Sequence, residues 1–105
     1  MSESYVTITG CKHYFGSNIL KVGQIIKLRK DYENQYDDEA IEAQLESVGK
    51  IGYVANSTYT VARGTKSAGR IYDSFKDECR ANIRFIVKDT AIAVVLGDAD
   101  KIDAV

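Results

Sequence analysis

The sequence has few of the residues from which catalytic and metal sites are commonly built. Its 105 residues include one histidine, His13, and two cysteines, Cys11 and Cys79. Cys11 and His13 could supply at most two metal ligands, whereas structural zinc needs four. One histidine beside one cysteine on a predicted strand is also weak support for a nucleophile. We therefore predict no catalytic residues, no metal and no cofactor, and we expect both cysteines to be reduced and structural.

Long apolar runs and targeting signals are absent as well. No hydrophobic run approaches the roughly 20 residues of a membrane span. The N-terminal residues 1–5 have neither a basic segment nor an apolar region of the kind found in secretory signals. We therefore expect a cytoplasmic protein that makes no contact with a membrane.

An excess of positive charge is also missing, since the formal net charge is −1. Proteins that rely on non-specific attraction to phosphates are normally basic over much of their surface. Any nucleic-acid site in this chain must therefore be local. The length suits one domain with a modest core, which we place at residues 1–97, followed by an acidic tail at 98–105 that we expect to fray.

Alternating apolar residues predict about six strands. "YVTITG" from Tyr5, "IIKLRK" ending near Lys30, and the run with Ile41, Ala43 and Leu45 each have the period of a half-buried strand. A turn at Gly49 and Lys50 would join the third run to "IGYVA". Two β-branched runs, "CRANIRFIVK" and "TAIAVVL", predict a second hairpin with a turn at residues 89–90.

Between these hairpins the sequence predicts one or two short helices over residues 58–75, broken near Gly64 and capped by Asn56 or Ser57. In the first run of the second hairpin, the core face would hold Ile83, Phe85 and Val87. The opposite face would form a basic stripe, which is more simply a solvated strand face: Arg80, Arg84 and Lys88. The predicted fold is mainly β with short helices, as a strongly bent antiparallel sheet or partly open barrel of about six strands with a helical insertion.

The loop "ENQYDDEAI" at residues 33–41 is the most unusual segment. The calcium-loop spacing of acids is absent, which argues against a metal, and acids crowded into a surface loop are usually solvated rather than catalytic. Asn and Asp also favour turns through local hydrogen bonds, which explains the acids but not Tyr36. Tyr36 could simply pack at the barrel edge on Tyr53.

Three segments resemble the conserved blocks of the HIRAN domain. They are "GCKHYFG" from Gly10, "LRKDYENQYDDEAI" from Leu28 and "GKIGYV" from Gly49, and the resemblance covers about residues 5–63. The middle block of the family reads roughly N-x-Y-D-x-x-A-I. It is the specific part of the match, with every defined position present: Asn34, Tyr36, Asp37, Ala40 and Ile41. The chain is similar to stand-alone members from bacteria or phage.

This resemblance implies an OB-like fold and recognition of single-stranded DNA, particularly its 3′ end. In that case Tyr36 stacks on a base and Asp37 accepts a hydrogen bond from the terminal hydroxyl. Lys12, His13, Asn34 and Tyr53 would also contact the strand. Lys12 lacks the planar fork of arginine, His13 stacks less well than tyrosine, and Gln35 replaces the usual proline, so a weaker or different ligand is compatible with the match.

Two functions of different classes follow. The first is a non-catalytic module for DNA repair that binds single-stranded DNA or its 3′-hydroxyl ends, with a nuclease, helicase or other protein as a further partner. The second is a protein-interaction or regulatory domain that keeps the fold and binds a partner through an exposed sheet edge. An enzyme ranks third. The oligomeric state does not follow from the sequence.

Overall fold

Six antiparallel strands form a closed barrel in the computed structural model, which describes residues 3–11 and 19–98 and the side chains of these residues up to 96. Neighbouring strands follow the order β1-β4-β3-β2-β5-β6, and β1 pairs with both β4 and β6. The predicted six-stranded, mainly β fold is confirmed. The strand bounds are β1 Tyr5–Thr9, β2 Ile25–Lys30, β3 Ile41–Leu45, β4 Gly49–Val54, β5 Glu78–Val87 and β6 Thr90–Asp98.

The core lies inside the barrel and is built by the predicted alternation. In β2, Ile26 and Leu28 are buried while Lys27 and Arg29 are exposed. The inward positions of β3 are buried in the same way. Complete burial of an aliphatic side chain contributes about 1.5 to 3 kcal/mol, so this inner layer drives closure. Its largest side chains, each at most 1% exposed, include Val6, Ile8, Ile26, Leu28, Ile41, Ile51 and Ile83. Cys11 and Cys79 are both buried, and burial raises the pKa of the Cys11 thiol.

Gly52 allows β1 and β4 to approach closely. A Cβ atom at this position would lie 2.5 Å from the backbone oxygen of Thr9, which is a severe clash. The two strands pair at this point, where Thr9 lies opposite Tyr53. The absence of a side chain at Gly52 therefore brings Tyr53 next to the end of β1.

The turn between β3 and β4 lies earlier than predicted. Residues 46–48 form the turn, the Val48 amide donates to the Leu45 carbonyl at 3.1 Å, and Gly49 already begins β4. Gly49 has a φ of +98°, a value that favours glycine. The prediction of a turn at Gly49 and Lys50 was therefore wrong, because the glycine serves the strand entry that follows the turn.

The inward face of β5 changes at a β-bulge. Ile83 is buried as predicted, but Phe85 and Val87 are 60% and 62% exposed, so their placement in the core was wrong. The register of the β5–β6 ladder shifts between Ile83 and Phe85. An extra residue at a bulge reverses which side chains point inward, and Ile86 packs against the core instead. The predicted basic stripe is also interrupted. Arg80 and Arg84 lie on β5, whereas Lys88 lies in the turn that follows β5.

The helical insertion is much shorter than predicted. Within the predicted range of residues 58–75, the helical elements are α1, Ala68–Ile71, and a 3-10 helix at Tyr72–Ser74. Ser67, rather than Asn56 or Ser57, caps α1. Residues 57–65 form turns instead, because Ser57 and Thr65 side chains hydrogen-bond the nearby backbone and Gly64 has a φ of +88°. No helix of the described residues is long and apolar enough to cross a membrane.

Candidate functional site

A cleft with a volume of about 290 Å³ opens where β1 and β4 meet the loop of residues 31–40 and the turn of residues 57–60. Residues from all four segments line it. Four of the predicted site residues are among them: Asn34, Tyr36, Asp37 and Tyr53. The remaining lining residues are Thr9, Ala40, Val54, Ala55, Asn56, Ser57 and Thr60.

Asn34 holds the 31–40 loop in shape. Its Oδ1 atom accepts hydrogen bonds from the backbone amides of Tyr36, at 2.9 Å, and Asp37, at 3.0 Å. The base of the loop is closed by the Asp31 amide, which donates to the Ala40 carbonyl at 2.9 Å. Such local bonds from Asn and Asp side chains define turns, so the turn explanation of this polar segment is correct for the backbone.

Tyr36 is not explained by that turn. Its side chain is 96% exposed although its backbone is held by Asn34. The interpretation of Tyr36 as a barrel-edge aromatic that packs on Tyr53 is therefore wrong. The structure presents a free aromatic ring on a fixed backbone at the border of the cleft.

The Asp37 carboxylate is held from two sides. Its Oδ1 atom accepts from the Glu39 amide at 2.9 Å, and its Oδ2 atom accepts from the Asn56 side-chain amide at 3.0 Å. An ionised carboxylate offers about four lone-pair sites, so acceptor capacity for a further donor remains on this half-buried group. These two hydrogen bonds fix the position and orientation of the Asp37 carboxylate in the wall of the cleft.

Tyr53 is fixed by a polar network at its hydroxyl group. The hydroxyl donates to Asp31 Oδ2 at 2.9 Å and accepts from Lys50 Nζ at 3.0 Å. Lys50 Nζ also lies 5.0 Å from the centre of the Tyr53 ring and 3.4 Å from a Glu42 carboxylate oxygen. Burial, aided by the neighbouring Asp31 carboxylate and opposed by Lys50, raises the pKa of Tyr53. The Tyr53 hydroxyl therefore already has hydrogen-bond partners within the protein. Tyr53 also lines the cleft, where its ring is available for contact with a ligand.

Asp31 anchors the same network in its ionised form. Desolvation opposes ionisation, but hydrogen bonds from Tyr53, Asn34 and the Glu33 amide outweigh it and, with the charge of Lys50, lower the pKa of Asp31. Hydrogen bonds to the charged form favour that form. The loop that carries Tyr36 is therefore tied to β4 through a carboxylate that is charged at neutral pH.

Two residues in or beside the cleft were not predicted from the sequence. Asn56 was interpreted only as a helix cap, yet its amide nitrogen contacts Asp37 and its Oδ1 atom accepts from the Gly69 amide at 2.8 Å. Tyr59 is 96% exposed on the turn that borders the cleft. No local pattern marks either residue, because Asn56 and Asp37 are 19 positions apart and meet only in the folded chain.

The remaining predicted residues divide into two groups. Lys12 and His13 lie outside the described residues. Arg80 and Arg84 lie on β5 and Lys88 in the turn after it, and none of these three lines the cleft. Across the described ranges 3–11 and 19–98, no group of three or more His, Cys, Asp or Glu residues could hold a metal ion.

Comparisons with known proteins agree with this architecture. Residues 1–88 match the family model of the HIRAN domain. The crystal structure of the HIRAN domain of human HLTF has a TM-score of 0.61 and 14% identity, over 98% of this chain and 82% of that chain. The crystal structure of a protein from Lactobacillus plantarum has a TM-score of 0.62 and 19% identity, over 88% of each chain. No curated protein matches the sequence. At these identities the solved structures show a shared fold.

Proposed function

The chain belongs to the HIRAN domain family, and on that premise we propose that it is a non-catalytic module that binds single-stranded DNA at 3′-hydroxyl ends. HIRAN domains are DNA-binding domains, which supports a nucleic-acid partner. The observation that carries the proposal is Tyr36, a tyrosine 96% exposed on a backbone held by Asn34. Stacking of a base on an aromatic ring is worth about 1 to 3 kcal/mol, and a fixed backbone lowers the entropy lost on binding.

Asp37 supplies the selection for a hydroxyl end. It follows Tyr36 directly and lines the same cleft, so a base stacked on Tyr36 brings the end of its strand close to this carboxylate. A carboxylate accepts a hydrogen bond from a hydroxyl group but repels a phosphate. The remaining acceptor capacity of Asp37 then distinguishes a free 3′ end from a phosphorylated one.

Other residues complete the interface. Tyr53 offers its ring within the cleft, while its hydroxyl is held by Asp31 and Lys50. Asn34 shapes the loop, and its contribution is to position Tyr36 and Asp37. Lys12 and His13 remain proposed contacts for the phosphate backbone and a base. Because few cations are involved, the affinity should depend only modestly on salt.

The proposal is tested by fluorescence-anisotropy titration of a short oligothymidine labelled at its 5′ end. One strand ends in a 3′ hydroxyl and the matched strand in a 3′ phosphate. We expect the hydroxyl strand to bind about 12- to 140-fold more tightly, since hydrogen bonds to charged groups are worth about 1.5 to 3 kcal/mol. Equal affinities would contradict end selection. DNA binding itself would be contradicted if neither strand bound at about 100 μM, a concentration high enough to detect non-specific contacts.

The alternative, a domain that binds a protein partner through a sheet edge, has less support. Each of the six described strands pairs with a neighbour on both sides, so the described barrel offers no unpaired strand for an added one. A nuclease or helicase partner stays a prediction. It would have to use another surface.

A further inference from the structure

Tyr59 is the second tyrosine that is 96% exposed, and it lies on the turn of residues 57–60. We infer that Tyr59 is a second stacking platform, which takes the base next to the terminal nucleotide when Tyr36 takes the terminal base. This inference rests on the proposed function, because it assigns a further base contact to the same strand. Three observations carry it: a fixed backbone, a position at the cleft, and an uncharged path for the strand.

The backbone of Tyr59 is held while its side chain is free. The Tyr59 amide donates to Ser57 Oγ at 3.1 Å, and the amides of Thr60 and Val61 both donate to the Ser57 carbonyl at 2.9 Å. The Thr60 hydroxyl donates to the same carbonyl at 3.2 Å. This arrangement parallels Tyr36, whose amide is held by Asn34. Both rings are therefore presented by turns that side-chain oxygens stabilise.

The two turns border one cleft and are linked to each other. Ser57 and Thr60, on either side of Tyr59 in the chain, line the cleft that Tyr36 also lines. Asn56 immediately precedes the turn and donates to Asp37, with a longer bond of 3.4 Å to Glu39. This link holds the turn of Tyr59 at a constant place relative to the loop of Tyr36.

The size of the cleft places the second base outside it. A volume of about 290 Å³ lies just below the roughly 300 to 1,000 Å³ of pockets that enclose a drug-sized ligand, so it suits one nucleotide rather than a run of them. Tyr59 does not itself line the cleft but lies between two residues that do. We therefore expect a base that leaves the cleft on this side to reach Tyr59.

Charge favours the same direction for the strand. The loop of residues 31–40 carries five carboxylates: Asp31, Glu33, Asp37, Asp38 and Glu39. The segment from Ala55 to Ala62 carries no charged residue, and the exposed Arg63 follows it. Phosphates are repelled by the first segment and not by the second. The strand therefore leaves the cleft over the turn that presents Tyr59.

The inference is tested with two hexathymidylates that both end in a 3′ hydroxyl, one intact and one lacking the base of the second nucleotide from the 3′ end. Binding of both strands is measured for the wild type and Tyr59→Ala. On the intact strand we expect Tyr59→Ala to weaken binding about 5- to 140-fold, the range that corresponds to 1 to 3 kcal/mol of stacking. On the strand without that base, we expect a change of less than about twofold, because the partner of the ring is already absent.

Tyr59→Phe retains the ring and should bind the intact strand like the wild type. The control Phe85→Ala removes a ring that is 60% exposed but does not line the cleft, and it should change neither affinity. Because the chain has no tryptophan, Tyr59→Trp introduces a single reporter. Its emission should be quenched by the intact strand and much less by the strand that lacks the second base.

Two results would overturn the role of Tyr59 and leave the proposed function intact, provided that the wild type binds the intact strand. One is wild-type affinity of Tyr59→Ala for that strand. The other is an equal loss on both strands, which would show that Tyr59 acts without the second base. A concentration of about 100 μM corresponds to the weakest typical non-specific binding. If the wild type binds no strand at that concentration, the inference and the proposed function fail together.

Discussion

The loop of residues 31–40 and the end of the β5–β6 hairpin at residues 84–91 both expose an aromatic side chain, but they differ in what surrounds it. Tyr36 is 96% exposed in the first region and Phe85 is 60% exposed in the second. In the loop, side-chain oxygens hold the backbone and the ring lies beside a carboxylate at a cleft. In the hairpin, the ring became exposed because a β-bulge reversed the inward face of β5.

The comparison shows that exposure of an aromatic ring does not by itself indicate a binding site. Phe85 and Val87 do not line the cleft described above, and ladder pairing with β6 explains their place. Tyr36 differs because a rigid loop, an oriented carboxylate and a concave surface meet at one point. A nucleic-acid site needs these features together, since stacking gives affinity and polar groups give selection.

The largest expected difference between the regions concerns DNA affinity. Tyr36→Ala should weaken binding of a 3′-hydroxyl strand about 5- to 140-fold through the loss of stacking, whereas Phe85→Ala should leave it unchanged. Anisotropy titrations of the two variants side by side measure this difference. Equal losses in both variants would show that exposed aromatic rings bind the strand without regard to place, and the distinction would be wrong.

The rigidity of the loop is tested by Asn34→Ala. The substitution removes the acceptor for the Tyr36 and Asp37 amides, and loss of a comparable side-chain cap costs about 0.5 to 2 kcal/mol. We expect a lower free energy of unfolding in chemical denaturation and weaker DNA binding. Gln35→Ala, an exposed neighbour in the same loop, is the matched control and should change neither quantity. Unchanged DNA binding by Asn34→Ala would show that the hydrogen bonds to Asn34 are not needed for DNA binding.

The pH dependence of stability tests the anchor at Asp31. Its pKa is lowered in the folded state, so its stabilising contribution is present above the unfolded value of about 3.9 and is lost as the pH falls through the folded value. Asp31→Asn should therefore be less stable than the wild type at pH 7. The difference between the two proteins in denaturation experiments should shrink below about pH 4, as the wild-type carboxyl group becomes protonated. A difference that stays constant with pH would contradict an ionic anchor.

The smallest effect is expected at the tip of the hairpin. Lys88 has a φ of +56°, a conformation that costs a non-glycine residue roughly 1 to 2 kcal/mol. Lys88→Gly relieves this cost but loses more entropy on folding, so we expect a net gain of less than about 1 kcal/mol in thermal denaturation and no change in DNA affinity. A change in affinity would place the hairpin tip within the DNA interface.

Strands β2 and β3 were predictable because inward apolar and outward polar residues alternate over five or more residues, as in Ile26 and Leu28 on β2. The exposed position of Phe85 was not predictable, since a bulge leaves the apolar pattern of β5 unchanged while it reverses the face. The helical prediction for residues 58–75 failed for a related reason. Local hydrogen bonds of Ser57 and the positive φ of Gly64 outweighed the apolar spacing.

The candidate site was predictable in part. Asn34, Tyr36 and Asp37 are close in sequence, and the resemblance to the family marked them. The cleft that they share with Tyr53 confirms that these residues meet, while their roles in binding stay predictions. Asn56 could not be identified, because its hydrogen bond to Asp37 joins two turns that are distant in the chain. The sequence around Tyr59 likewise does not show that its turn borders the cleft.

The central claim is that the Asp37 carboxylate reads the end of a strand rather than only shaping the loop. The double substitution Asp37→Asn with Asn56→Asp separates these roles. The new amide can donate to the new carboxylate, and both the Glu39 and Gly69 amides keep an oxygen acceptor. The hydrogen bond between the two side chains and the bonds from the Glu39 and Gly69 amides are thus retained. The longer bond from Asn56 to Glu39 is lost, and the carboxylate moves to the other turn, near Glu39.

The most direct measurement is the ratio of affinities for 3′-hydroxyl and 3′-phosphate strands in the wild type and in this double variant, by anisotropy titration, with circular dichroism to confirm folding. The account predicts that the wild type favours the hydroxyl strand about 12- to 140-fold, and that a folded double variant shows a much smaller preference because its carboxylate is displaced. An undiminished preference in the double variant would contradict the role of Asp37.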